Sequence, residues 1–208
     1  DNRIGDFNGD GADDIMAYRV WASDWDVSLS DALVTDILAG VTDGNGHSQS
    51  IEYAYTADPT VYEKGSDADY PVLDVGASMR VVKKLTIDDG VGGENTISYK
   101  YFGQKYDYYN RASLGFSAVE ITNELTGLVK TTSYSQNNRN YTLGIPLSIE
   151  SKMGEVILSE TINTPAVKVI GQTSTIPGRF FPYIASSVTT EGDLNEAVYG
   201  TVAKVKTY

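Results

Sequence analysis

Val, Ile, Thr and Tyr recur at alternate positions along most of this chain, and Gly, Asn and Asp clusters break the pattern about every ten residues. A period of two sends successive side chains to opposite faces of an extended backbone. β-Branched and aromatic residues fit the pleated surface that results. No stretch carries a convincing apolar stripe at the 3.6-residue period of an amphipathic helix. The sequence therefore predicts an all-β chain: antiparallel β-hairpins forming an extended or sandwich-like sheet assembly.

The turn clusters set the expected hairpins. Residues 34–42 pair with 48–56 across Asp43-Gly-Asn-Gly46, with Ile51, Tyr53 and Tyr55 on one face. Residues 79–88 pair with 95–103, 116–122 with 128–134, and 147–151 with 156–163. Separate strands are expected over 167–174, 185–190 and 197–208. The polar stretch 57–71 is too long for a tight turn and reads as a lid or an edge-covering excursion. Residues 22–32 are the least strand-like early segment and read as a linker or a short helical turn, which places a boundary between a piece at 1–22 and a larger region at 23–208. Trp21 and Trp25, beside that boundary, are expected to pin the two together.

One turn carries more chemistry than the rest. Gly5-Asp-Phe-Asn-Gly-Asp-Gly-Ala-Asp-Asp-Ile15 places side-chain oxygens of Asp6, Asn8, Asp10 and Asp14, with the carbonyl of Ala12, at spacings that suit a calcium cage. Gly9 and Gly11 let the backbone bend tightly enough to turn those oxygens inward. It is not an EF-hand, because Ala17 stands where that motif has a bidentate Glu and strand-like residues follow Ile15. The spacing, with its flanking Asp-Phe and Asp-Ile, resembles the loop of FG-GAP/VCBS repeats, which implies calcium as a ligand and a β-propeller remnant at 1–22.

The formal charge of −12 argues against nucleic acid or an anionic membrane surface as partner, because both attract a positive field. It suits a secreted or cation-binding protein. No run approaches the ~18 apolar residues of a membrane-spanning helix. Cysteine is absent, which removes disulfides, thiolate zinc sites and a Cys nucleophile together. With no initial Met and no basic-then-apolar leader, the chain reads as an excised piece of a longer soluble protein.

A second resemblance lies in the order of short motifs. Ile51-Glu-Tyr53, Asp58-Pro-Thr-Val-Tyr62, Tyr70-Pro71, Gly90-Val-Gly-Gly93 and Tyr99-Lys-Tyr101 precede Leu114-Gly-Phe116, Gly144-Ile-Pro146 and Arg179-Phe-Phe-Pro-Tyr183. This order is similar to the region after the propeller in insecticidal toxin complex B components (the TcdB middle region) and related SpvB/RHS-type proteins. The resemblance implies a non-catalytic structural module linking a propeller to an encapsulating β-shell. Its implied partners are the rest of the parent protein or toxin-complex subunits, its implied location secreted or at the bacterial cell surface, and any toxic segment lies downstream. Asn110-Arg-Ala-Ser113 departs from the family's Gly-Arg-Gly-Phe, so Asn110 is expected to take the left-handed conformation of the missing glycine.

Catalysis finds little support in the residues. The single histidine, His47, sits in a Gly/Ser-rich turn with no nucleophile motif nearby. Asp13/Asp14, Asp67/Asp69 and Asp88/Asp89 can be read as glycosidase pairs, but among 28 acidic residues sequence cannot choose a pair, and turns explain most of them. Tyr62, Tyr70, Tyr106, Tyr108 and Tyr109 are either fillers of half-buried strand faces or a stacking platform for a glycan. The latter is the core of an alternative reading, a calcium-dependent surface-binding module for a glycan or host protein. Arg179-Phe-Phe-Pro-Tyr183 reads as a buried corner, whereas an exposed Phe180/Phe181 pair would point to packing against another portion of the parent protein.

Overall fold

A computed structural model describes residues 2–30, 37–76, 78–137, 141–171, 178–192 and 206–207. Among them every helix or strand is a strand, so the chain is all-β, and no helix is long and apolar enough to cross a membrane. In chain order the strands are β1 (Asn2–Gly5), β2 (Asp14–Arg19), β3 (Asp24–Ser28), β4 (Gly40–Thr42), β5 (Ser48–Tyr55) and β6 (Tyr62–Glu63). Next come β7 (Val72–Asp74), β8 (Arg80–Asp88), β9 (Glu94–Phe102), β10 (Lys105–Asp107), β11 (Ala112–Gly115) and β12 (Ala118–Asn123). The last are β13 (Leu128–Tyr134), β14 (Pro146–Met153), β15 (Val156–Ile170), β16 (Arg179–Glu191) and β17 (Lys206–Thr207). The chain divides into two compact units, Asp1–Glu63 with Gly76–Thr96, and Lys64–Val75 with Ile97–Tyr208.

In the first unit, β1, β2 and β3 form an antiparallel meander with Ile4 opposite Ile15 and Tyr18 opposite Trp25. Residues 24–28 of the segment expected to be a linker or helical turn are therefore strand. Asp24-Trp-Asp-Val-Ser28 alternates polar and apolar residues, and Trp25 lies 5.2 Å from the Tyr18 ring, so cross-strand packing prevails over its charge. β5 lies between β4 and β8, and its register with β8 slips once, between Glu52 and Tyr53. The expected turn at 43–46 is present, with Asp43 Oδ1 accepting the N–H groups of Asn45 and His47. The turn after β8 closes by a bond from the Asp89 N–H to the Gly93 carbonyl. Strand residues 34–36 of the expected first hairpin lie outside the described residues.

In the second unit, β10 lies between β7 and β11 in a small antiparallel sheet. A larger meander joins β9 to β12 and then β12 through β17, each strand beside its successor in that series. The hairpins expected at 116–134 and 147–163 are both present, with Asn123 opposite Leu128 and Ser148 opposite Ile162. Two expected strands merge, because β15 continues through Pro165 instead of stopping near Asn163. The ladder absorbs this proline with a register shift between Thr164 and Pro165. Of the expected strands at 167–174 and 197–208, residues 172–174, 197–205 and 208 lie outside the described residues.

Arg179-Phe-Phe-Pro-Tyr183 is not a buried corner. It opens β16, and Phe180, Phe181 and Tyr183 are exposed, with Phe180 stacked on Tyr141 at 3.8 Å between ring centroids. Asn163 ties three strands: its Nδ2 donates to the Pro146 carbonyl at 3.1 Å, and its Oδ1 accepts the Ser187 hydroxyl at 2.6 Å. Among the described residues the buried apolar side chains are Val61, Tyr62 and Val81 in the first unit and Leu114 in the second. Most strand faces are only half covered.

Candidate functional site

The Asp/Gly loop between β1 and β2 lies in the first unit, and hydrogen bonds to its own backbone hold its shape. Asp6 Oδ1 accepts the N–H groups of Gly9 (2.6 Å) and Asp10 (3.1 Å), and Asp6 Oδ2 accepts that of Gly11. Asn8 Oδ1 accepts the Asp10 N–H, while Asp10 accepts from Ala12 N–H at Oδ1 and from Asn8 Nδ2 at Oδ2. Gly9 and Gly11 have φ of 80° and 82°, the left-handed region the sequence assigned to them.

Asp14 is the most deeply placed of these groups, with its residue fully buried. Its Oδ2 accepts the Phe7 N–H at 2.8 Å, and its Oδ1 accepts the Ser30 N–H at 2.9 Å. These donors, Ser30 first, hold its carboxyl below the usual range by stabilising the ionised form, against the opposing effect of burial. Asp14 thus closes the loop as a hydrogen-bond acceptor. Every side-chain oxygen of Asp6, Asn8, Asp10 and Asp14 accepts at least one hydrogen bond. Among the described residues no three Asp, Glu or His side chains gather as a metal-holding group. What the loop retains for a cation is the second lone pair on its carboxylate oxygens and the hard-oxygen character of its donors.

The loop docks onto the β5 and β8 side of the same unit. Ser78 Oγ donates to the Gly9 carbonyl at 3.0 Å. A Cβ on Gly9 would sit 2.6 Å from the Ala57 Cβ, and one on Gly11 would run into the Tyr55 ring. Tyr55 is itself held from behind, its hydroxyl accepting from Arg80 Nη2 at 2.6 Å. The expected pins behave differently: Trp21 is 82% exposed and Trp25 packs on Tyr18. Within this unit the glycine backbone of the loop abuts Tyr55 and Ala57 instead. The sequence signal for this was the pair of loop glycines, which admit close approach as readily as they admit a turn.

The acidic pairs are distributed. Asp88 Oδ1 accepts the Gly90 N–H and Asp89 Oδ1 those of Val91 and Gly93, and these last two donors lower the Asp89 carboxyl. In the second unit Asp67 pairs with Lys105 at 2.9 Å, which lowers its carboxyl, and with Asp69 and Asp107 it lines a cleft of about 300 Å³. His47 is exposed in its turn.

The tyrosines separate too. Tyr62 is buried, whereas Tyr70, Tyr106, Tyr108 and Tyr109 line one cleft of about 320 Å³ with Arg111 in the second unit. Arg111 was not singled out from sequence. It also corrects an expectation, because Arg111, and not Asn110, takes the left-handed conformation, at φ 51°. Asn110 instead donates from its N–H (2.9 Å) and its Nδ2 (2.7 Å) to the buried Asp107 carboxylate.

The family model for the insecticide toxin TcdB middle/N-terminal region matches residues 1–142. Among solved structures the crystal structure of TcdB2-TccC3-TEV aligns over 92% of this chain with a TM-score of 0.66 at 12% identity. The TcdB2-TccC3-Cdc42 crystal structure aligns over 91% with a TM-score of 0.64 at 12% identity. The Photorhabdus luminescens Tc holotoxin pore carrying a TccC3 mutation aligns over 92% with a TM-score of 0.65, again at 12% identity. The chain spans 12% of the length of each of these matched chains, and the likeness is one of fold. No curated protein sequence matches.

Proposed function

The chain belongs to the insecticide toxin TcdB middle/N-terminal family, and from that membership we propose that it works as a non-catalytic structural and assembly module of a secreted toxin-complex component. It links a propeller-type piece to a β-shell of the SpvB/RHS kind, and its partners are the remaining segments of the parent protein or other toxin-complex subunits. The observation that carries this reading is the thinness of the core. Sheets with four buried apolar side chains among the described residues leave Ile170, Phe181 and Tyr183 exposed on one face of the β15 and β16 ladder, and Val169 with the Tyr141-stacked Phe180 part-exposed on the other. Exposed apolar side chains on both faces of one ladder suit a sheet that other protein covers.

The test is co-expression of the chain with the rest of its parent component. Phe180→Ser with Phe181→Ser should abolish co-purification while the far-ultraviolet spectrum keeps its strand signature. Undiminished co-purification would overturn the reading.

Calcium at Asp6, Asn8, Asp10, Asp14 and the Ala12 carbonyl belongs to the same proposal. The ion would stiffen a loop that already holds its shape through hydrogen bonds and already abuts Tyr55.

A further inference from the structure

In the second unit, Asp107 ends β10 and is 4% exposed, and its two bonds from Asn110 lock the turn that carries Tyr108 and Tyr109 outward. The Tyr108 N–H donates to the Pro71 carbonyl at 2.9 Å, which brings Tyr70 alongside. The Tyr70 and Tyr108 rings lie 6.4 Å apart at an interplanar angle of 41°, so they form two walls of a trough instead of a closed stack. Tyr70, Tyr108 and Tyr109 are 77%, 60% and 82% exposed. Such exposure wastes large apolar faces unless a ligand covers them, and a turn pinned by a buried carboxylate pays little ordering cost on binding.

From this arrangement we infer that the Tyr70/Tyr106/Tyr108/Tyr109/Arg111 cleft is a binding site for a neutral pyranose sugar. Three features select that class. The walls are phenolic, so they offer flat faces to the C–H side of a sugar ring and hydroxyls to its rim, where aliphatic residues would suit a lipid chain. Arg111 is exposed, makes no ion pair among the described residues, and presents planar paired donors that fit adjacent sugar hydroxyls. At about 320 Å³ the cleft sits at the small end of the roughly 300–1,000 Å³ typical of ligand pockets, which matches one or two rings and not an extended peptide. The chain's net charge of −12 sets a background field that disfavours acidic sugars relative to neutral ones. The site draws on nothing in the shell reading or in calcium.

Saturation-transfer NMR on the full chain tests this with methyl glycosides of glucose, galactose, mannose and N-acetylglucosamine, and sialic acid as the charged comparison. At least one neutral glycoside should receive saturation and bind in the millimolar range. Tyr108→Ala with Tyr109→Ala should weaken it by about tenfold or more, whereas Tyr108→Phe with Tyr109→Phe keeps the ring faces and most of the signal. Arg111→Gln, on an exposed side chain that leaves the strands intact, should weaken it too, and EDTA should change nothing. Absence of transfer to every neutral glycoside, transfer indifferent to both the alanine pair and Arg111→Gln, or transfer to sialic acid alone would each overturn the assignment.

Discussion

Asp14 and Ser30 meet across sixteen positions of chain: the Ser30 N–H donates to Asp14 Oδ1 at 2.9 Å while the Ser30 hydroxyl donates to the Asp13 carbonyl at 2.6 Å. With the Phe7 N–H on its other oxygen, Asp14 gathers the start of the loop and the residue two places past β3 onto one carboxylate. Asp14→Asn should therefore lower the thermal midpoint measurably at neutral pH, because an amide brings an N–H₂ against one of two N–H donors. Ser30→Ala removes only the hydroxyl and should cost less. Circular dichroism melts compare the two.

The same contact gives a pH dependence of defined sign. The folded carboxyl is held below its ordinary value, so its contribution is present above the unfolded value of about 3.9 and is lost as pH falls through the lower folded value. The difference in midpoint between wild type and Asp14→Asn should be full at pH 7 and shrink steadily below about pH 4. A difference constant down to pH 2 would contradict the assignment.

Gly11→Ala should destabilise by more than the roughly 1–2 kcal/mol that a left-handed alanine costs, because the new Cβ also meets the Tyr55 ring. Gly44→Ala is the control, since a Cβ there meets nothing within 4 Å. Urea titrations should separate the pair clearly.

Asn163→Leu should cost roughly 0.5–1.5 kcal/mol for each lost bond, because it deprives the half-buried Pro146 carbonyl and Ser187 hydroxyl of their partner. The loss should appear as a lower urea midpoint with an unchanged slope.

Calcium should raise the midpoint of the wild-type chain, by up to about 2.7 kcal/mol of stability at a hundredfold excess over Kd, and EDTA should reverse it. Asp6→Asn with Asp10→Asn should remove that response. A midpoint indifferent to calcium in the wild type would limit the loop to its hydrogen bonds.

Alternation made the strands legible wherever it ran unbroken, as in β12 and β13, whose pairing from Ala118 opposite Ser133 to Asn123 opposite Leu128 follows from the turn between them. It failed where a local rule met a tertiary one. Pro165 ordinarily marks the end of a strand, yet a register shift lets β15 pass through it. Asp24 and Asp26 disguised β3, whose partner Tyr18 supplies the aromatic contact. The loop residues were evident from spacing, but the surface that receives them, Tyr55, Ala57 and Ser78, lies too far along the chain for any local pattern to reveal. Arg111 escaped notice because the family pattern puts its glycine one residue earlier, which directed the left-handed expectation to Asn110.

The order of the larger meander has a kinetic consequence. From β12 to β16 each strand lies against the one before it, so the contacts that build this sheet are close in sequence. Pairing between successive strands costs less loop-closure entropy than pairing between distant ones and lets structure accumulate as the polypeptide leaves the ribosome. Each nascent strand then needs only its predecessor as a template, and the growing edge is always the segment most recently translated.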